Sequence, residues 1–396
     1  MIRIPVHAYD AEVRDFRPAL MIMQERTCQG IEYCNAVDSD IYCAPGFIDS
    51  HAHIYPGATD LGIRADSIGL STGVHMVIDA GSAGSTNFPC FRDYIVPTYE
   101  VEVRGFLNIS QIGLVNKQPY FDRRNIDIQK AVECIRQDDK KLLLGIKVLS
   151  SGLIVEDAGI EPIRAAVAAA ERIGCPVMAH MVEGPPSNEE NMAYLRKGDI
   201  ITHIFHGVPN IIANQKASNG RNMNASYCSL ANVMWNEDGT PKKPLEDAIA
   251  RGVYLDVGHG AASLDQNVAR AAIGAGVRQF SISTDAHIRN VDTIVYSLAH
   301  TMSKFLAFGM SLADVVASVT EIPSRQLGLR NWCTHMERRA TLFRVRPRKL
   351  EDLPFLDAYR QVIDVDKIIE PIAVNVGGEI RDIISDWIPD LEKYIG

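Results

Sequence analysis

The sequence predicts a (β/α)8 TIM barrel carrying a small β-module built from both chain ends. Three observations lead there. From about Cys43 onward, short apolar runs alternate with helical patterns, the signature of a βα architecture. Eight such runs can be counted, "CAPGFIDS", "VHMVIDAG", "EVRGFLNIS", "LLLGIKVL", "PVMAHM", "DIITHIFHG", "VYLDVGHG" and "QFSISTDA", and eight strands close a barrel. Several are almost continuously apolar, which suits a parallel sheet covered on both faces. A chain of 396 residues has room for a barrel of ~250 residues and an accessory module.

The elements follow in order. Residues 1–43 stand outside the alternation, and their opening "MIRIPVHAYDAEV" is short for a module of its own. Between the fourth and fifth strands, Glu161 to Gly174 is rich in alanine and ends in glycine, a good helix stop. Another helix starts near Ser187, where Glu190 three residues on completes a capping box. After the sixth strand, residues 208–244 are rich in Asn, Ser and Gly and long for a loop, which points to a lid or subunit contact on the active-site face, or else a plain surface insertion. Two consecutive helices are expected in "DTIVYSLAHTMSKFLAFG" and "SLADVVASVTEIPSRQLGL". The tail, 339–396, offers "ATLFRVRP" and "IAVNVGGEI", two β-rich pieces around a Gly-Gly turn. The expected division is therefore 1–43 with 339–396 as the module and 44–338 as the barrel.

Composition excludes several classes. A net charge of −9 and the absence of a basic patch argue against nucleic acid as a partner. No apolar run approaches the ~20 residues that span a bilayer, and the acidic, proline-containing start does not read as a signal peptide. A cytoplasmic protein is expected. The eight cysteines are scattered without a CxxC pair, so they are read as free thiols rather than a disulfide framework or zinc site.

Six metal-binding side chains end these apolar runs: His51 and His53 in "GFIDSHAHIYPG", Lys147 in "LLLGIKVLSS", His180, His203, and Asp285 in "FSISTDAH". If the runs are parallel strands of one barrel, all six meet at the rim where barrel enzymes keep their chemistry. Taken singly, each has a plainer reading: a core histidine for His180 or His203, a helix cap for Asp285. Lys147 is the informative one. An ammonium at the end of an apolar strand is costly unless paired, and burial lowers its pKa toward a neutral amine. Such an amine can take up carbon dioxide, and the resulting carbamate could bridge two metal ions.

The order HxH, Lys, His, His, Asp over eight βα units resembles the amidohydrolase superfamily. "GFIDSHAHIYPG", "DAGSAGSTNF", "FLNIS", "GIKV", "DVGHG" and "STDAHIRN" resemble its deacetylase branch, related to dihydroorotases, from about Ala44 to Leu329. The resemblance implies one or two divalent ions, usually zinc. It places His51, His53 and Asp285 on the more buried ion, His180 and His203 on the more exposed one, and carboxylated Lys147 between them. The all-N/O donor set independently favours zinc, with manganese, iron or cobalt as alternatives. The mechanism expected is attack of a metal-activated water on a carbonyl, with Asp285 as catalytic base.

Substrate contacts are expected from Tyr55, Asn108, His259 and Arg289 at the same rim, each with a structural role as the alternative. His206, in "THIFHG", is expected among these contacts and stands where the resemblance leads one to expect asparagine, a departure that bears on specificity. The reaction expected is hydrolysis of an amide or ester bond in a small acylated substrate. A cyclic-amide hydrolase, a deaminase or a silent scaffold are the alternatives, and a homo-oligomer is expected.

Overall fold

The computed structural model describes residues 1–116, 118–207 and 233–384. Residues 208–232 of the long insertion, Cys228 among them, lie outside the described residues, as does the tail from 385, so the expected lid or subunit contact falls there too. Among the described residues no helix is long and apolar enough to cross a membrane, and seven free cysteines are present.

Both chain ends build one module. Strands β1 (Ile2–Asp10), β2 (Asp15–Gln24), β3 (Thr27–Tyr33) and β4 (Ile41–Pro45) come from the start of the chain. The seven strands of the main barrel come next in sequence, and β12 (Arg339–Pro347), β13 (Lys367–Val376) and β14 (Glu379–Asp382) return to the module. In the order β1-β2-β3-β14-β13-β12-β4 these strands close on themselves, with β4 parallel to β1. Closure leaves no sheet edge to pair with another chain. Period-two alternation sets its interior: Ile4, Val6 and Ala8 of β1 face Ala19, Met21 and Met23 of β2 and Leu342 of β12. The opposite faces carry aromatics. Phe16, Tyr42 and Phe343 pack together, and Phe343 meets Phe47 at 5.7 Å between ring centroids, where the module joins the main barrel.

The main barrel runs β11-β10-β9-β8-β7-β6-β5, all parallel. Its strands are β5 (Phe47–Ala52), β6 (Val74–Gly84), β7 (Glu102–Asn108), β8 (Leu143–Leu149), β9 (Val177–His180), β10 (Ile200–Thr202) and β11 (Tyr254–Leu255). The eighth run, 280–286, is not a regular strand. It bridges Asp256 at Ser281 and Ala52 at Ala286, and so closes the cylinder between β11 and β5. Ser281 and Ser283 donate their hydroxyls to Asp256 and Thr284 donates to Asp49, while Asp285 turns to φ 46°. Those bonds and that turn displace the ladder.

Glu161–Ile173 is a helix ended by Gly174, and Ser187 with Glu190 forms the capping box ahead of Asn188–Met192. The region after the eighth run departs from expectation. The first helix is confined to Leu298–Ala307, because Tyr296 sits at φ 57° and Ser297 takes the His300 N–H as cap. The second is split into Leu312–Ala317 and Glu321–Gln326. Ser318 and Thr320 bond back to the Asp314 and Val316 carbonyls, and Pro323 lacks an N–H and fits only a first turn.

His75 of β6 ties the two barrels together, its Nε2 donating to the Ala340 carbonyl at 3.0 Å. Burial, with the Arg339 charge beside it, pushes its pKa down to about 4. A histidine that stays neutral when folded loses stability as pH falls, because the unfolded chain takes the proton first. Between about pH 6.5 and 4 the loss from this group should reach roughly 3 kcal/mol. Denaturant unfolding across that window should show a steeper acid decline for the parent than for His75→Asn. Parallel curves would contradict the assignment.

Candidate metal centre

The six residues singled out by the sequence meet at one end of the main barrel. His51 belongs to β5 and His53 follows it, with His53 N–H bonded to the Ala286 carbonyl and Asp285 N–H to the His51 carbonyl. These crossed bonds bring the first and eighth runs face to face. Asp285 Oδ1 lies 3.2 Å from His53 Nε2 and 3.5 Å from His51 Nε2. Among the described residues, the donor atoms of His51, His53 and Asp285 all fall within 4.8 Å of one another. Lys147 sits inside β8, before Val148 and Leu149, rather than at a strand tip, and its Nζ lies 3.4 Å from His51 Nε2. The His203 ring lies 5.2 Å from that of His51, and the His180 ring 4.5 Å from that of His203.

Hydrogen bonds fix which nitrogen faces inward. Thr202 spends its hydroxyl proton on Asp256 Oδ2 at 2.7 Å, so its oxygen can only accept from His51 Nδ1, 3.0 Å away. Asp256 also accepts from that nitrogen, at 3.3 Å. His51 therefore carries its proton on Nδ1 and presents a lone pair from Nε2. The same reasoning holds for His203, whose Nδ1 can only donate to the Gly258 carbonyl, at 2.7 Å. A carboxylate or carbonyl on the far nitrogen is how metal-ligating histidines are commonly oriented. His53 is held at Nδ1 by Ser82 Oγ, 3.0 Å away, and Ser82 N–H in turn bonds Asp79.

The electrostatics suit a cation. Burial, then the Lys147 charge, keeps His51 below its ordinary pKa, and the same causes push His180 down to about 3. Burial and the His180 ring hold His203 well below its usual range. These imidazoles are neutral at neutral pH, the form that binds metals. Burial lowers Lys147 to about 8, so a substantial fraction is free amine near that pH. Burial opposes ionisation of Asp285; the charge of a protonated His51 and a hydrogen bond from His53 would hold its carboxyl well below the usual range. Asp285 Oδ1 is buried, with His53 Nε2 at 3.2 Å and His51 Nε2 at 3.5 Å beside it. An ionised oxygen facing the His51 lone pair is repulsive until a cation lies between them, so the residues present fit a divalent ion.

The other rim residues are engaged elsewhere. The Tyr55 hydroxyl donates to the Asn87 carbonyl and its ring packs on Phe91, so it serves the loop instead of the cavity. Asn108 donates to the Gly81 carbonyl and caps Ser110. His259 is enclosed and bonded to Lys304, and Arg289 pairs with Asp60. His206 is fully buried, and among the described residues neither ring nitrogen has a hydrogen-bond partner.

Asp256 was not singled out, though it is the hub of the site. It accepts from Ser50, Thr202, Ser281 and Ser283 as well as His51. Burial alone would raise its pKa, but the bonds from His51, Ser281 and Thr202 hold it low. The signal was present in "VYLDVGHG", an acid inside an apolar run, the same anomaly that marks Lys147.

No protein-family model matches the chain. A deacetylase of Agrobacterium fabrum is 33% identical over 362 residues, covering 89% of this chain and 82% of the relative. The chain belongs to the amidohydrolase superfamily. A deacetylase of Brucella anthropi is equally similar, at 33% over 89% of this chain and 83% of its own, and one of Enterococcus faecalis is 30% identical over 86% and 87%. Among solved structures, a dihydroorotase covers 95% of this amidohydrolase and 97% of its own chain, with a TM-score of 0.77 at 28% identity. An adenine deaminase covers 96% and 100%, with a TM-score of 0.79 at 25% identity. The TIM-barrel architecture and the hydrolase class are common to this family.

Replacing Asp256 with asparagine should weaken the hold on His51 while leaving the fold intact. Cobalt affinity measured by chelator competition is expected to fall roughly 10–100-fold. Parent-like affinity in Asp256→Asn would show that the carboxylate does not orient the ligand.

Proposed function

We propose that this amidohydrolase is a metal-dependent deacetylase that hydrolyses an amide or ester bond of a small acylated substrate. One observation carries the reading: the buried Asp285 Oδ1 faces the inward nitrogens of His51 and His53. On this reading His51, His53 and Asp285 hold one ion and His180 with His203 a second, with carboxylated Lys147 shared between them. The N/O donors favour zinc, with manganese, iron or cobalt as alternatives. A divalent ion bound there supplies Lewis acidity, which lowers the pKa of a water and polarises the scissile carbonyl.

The chain's own groups do the rest. The Asp285 carboxylate accepts the proton of the attacking water and returns it to the leaving nitrogen or oxygen. The neutral tautomers of His51 and His203 keep their lone pairs on the reaction side. The free-amine fraction of Lys147 can add carbon dioxide, its N–H proton leaving to water, to give the carbamate. The deacetylase relatives span most of this chain, which favours acyl release over the ring-opening reading suggested by the dihydroorotase neighbour.

Purified protein should carry between one and two equivalents of divalent metal, lose activity to a chelator and regain it with zinc. A panel of acylated small acids, cyclic imides and purines should release acetate rather than open a ring or yield ammonia. Asp285→Ala should lower kcat by about 10²–10⁴-fold. Undiminished turnover in that variant would overturn the role of Asp285, and metal-free protein with full activity would overturn the reading itself.

A further inference from the structure

Behind the candidate centre lies a second buried lysine. Lys304, on the helix Leu298–Ala307, is completely enclosed. Its Nζ lies 2.8 Å from each of three partners, His259 Nε2, the Ile294 carbonyl and the Leu356 carbonyl. His259 Nδ1 lies 2.9 Å from the Gly260 carbonyl and must donate to it, so Nε2 can only accept. All three Lys304 partners are therefore acceptors, which three ammonium protons satisfy one for one.

The ring held in this way belongs to the turn Gly258–Gly260. His259 N–H bonds the Ser283 carbonyl at 3.1 Å and Gly260 N–H the Thr284 carbonyl at 3.0 Å. The Gly258 carbonyl is the acceptor that fixes the His203 tautomer. Both glycines lie in the left-handed region, at φ 48° and 56°. The turn also presses on two proposed ligands: a Cβ on Gly258 would stand 2.7 Å from His203 Nδ1, and one on Gly260 2.5 Å from Asp285 Oδ2. A small rotation of this turn would thus move groups on both sides of the centre at once.

We infer that Lys304 is a positioning residue for the reaction, acting through His259 and the Gly258–Gly260 turn to set His203 and Asp285. The inference rests on the metal-dependent reading above. Both ring nitrogens of His259 are committed to holding the turn. A lysine serving packing alone would not need to meet the imidazole whose chain neighbours, Gly258 and Gly260, approach His203 and Asp285.

Cobalt-loaded protein provides the test. Lys304→Met and His259→Leu should fold, as judged by circular dichroism, yet show an altered visible cobalt spectrum and roughly 10–100-fold weaker cobalt binding. Their kcat should fall to a similar degree while KM stays within about twofold of the parent. His259→Gln can accept from Lys304 and donate to the Gly260 carbonyl, so it should restore much of the spectrum. Folded variants with the parent spectrum and affinity would overturn the inference. Should Lys304→Met not fold, His259→Leu is read in the same way; unfolding of both would assign the contact to stability alone and overturn it too. A parent protein that binds no cobalt would instead refute the metal reading.

Discussion

The organisation of this molecule turns on a buried carboxylate set among imidazoles. Asp285 Oδ1 is enclosed, with His53 Nε2 at 3.2 Å and His51 Nε2, which presents a lone pair, at 3.5 Å. Burying an ion without compensation costs several kcal/mol, so a fold keeps such an arrangement only where something else supplies the missing positive charge. Much of the surrounding structure can be understood as holding these groups still in spite of that cost. Asp256 gathers three serines and a threonine to orient one histidine, and the turn after β11 orients another.

The same constraint accounts for the irregular closure of the barrel. A regular eighth strand would direct its side chains alternately inward and outward along a straight ladder. Here Asp285 and His203 both adopt positive φ, at 46° and 65°, conformations that non-glycine residues take at a cost of about 1–3 kcal/mol. The bonds Asp285 N–H to His51 O and His53 N–H to Ala286 O hold that turn in place. The small closed module stabilises the assembly from the other end, through Phe47 against Phe343 and His75 against Ala340.

The sequence carried much of this plainly. Charged or imidazole side chains ending apolar runs mark an inward-facing rim, and His51, His53, Lys147, His180, His203 and Asp285 do come together. A β-rich tail, together with a start that stands outside the βα alternation, was enough to suggest a shared module, although the length of its N-terminal hairpin, Ile2–Asp10 with Asp15–Gln24, was not apparent from so ordinary a stretch. What stayed hidden depends on partners distant in sequence. Tyr55, Asn108 and Arg289 have the right chemistry and position for substrate, but Asn87, Gly81 and Asp60 claim them. Lys304 looks like an ordinary helix lysine until the fold brings His259 and two carbonyls to it. The split of the last helical stretch follows from Ser318, Thr320 and Pro323, whose effect outweighs the apolar periodicity around them.

The most direct test of the account is where metal binds. Anomalous scattering at the zinc edge, from crystals of zinc-loaded protein, should give one peak among His51, His53 and Asp285 and a second beside His180 and His203, with added density beyond Lys147 Nζ. Zinc found only at surface residues, with Asp285 hydrogen-bonded to protein or water in an empty pocket, would contradict it.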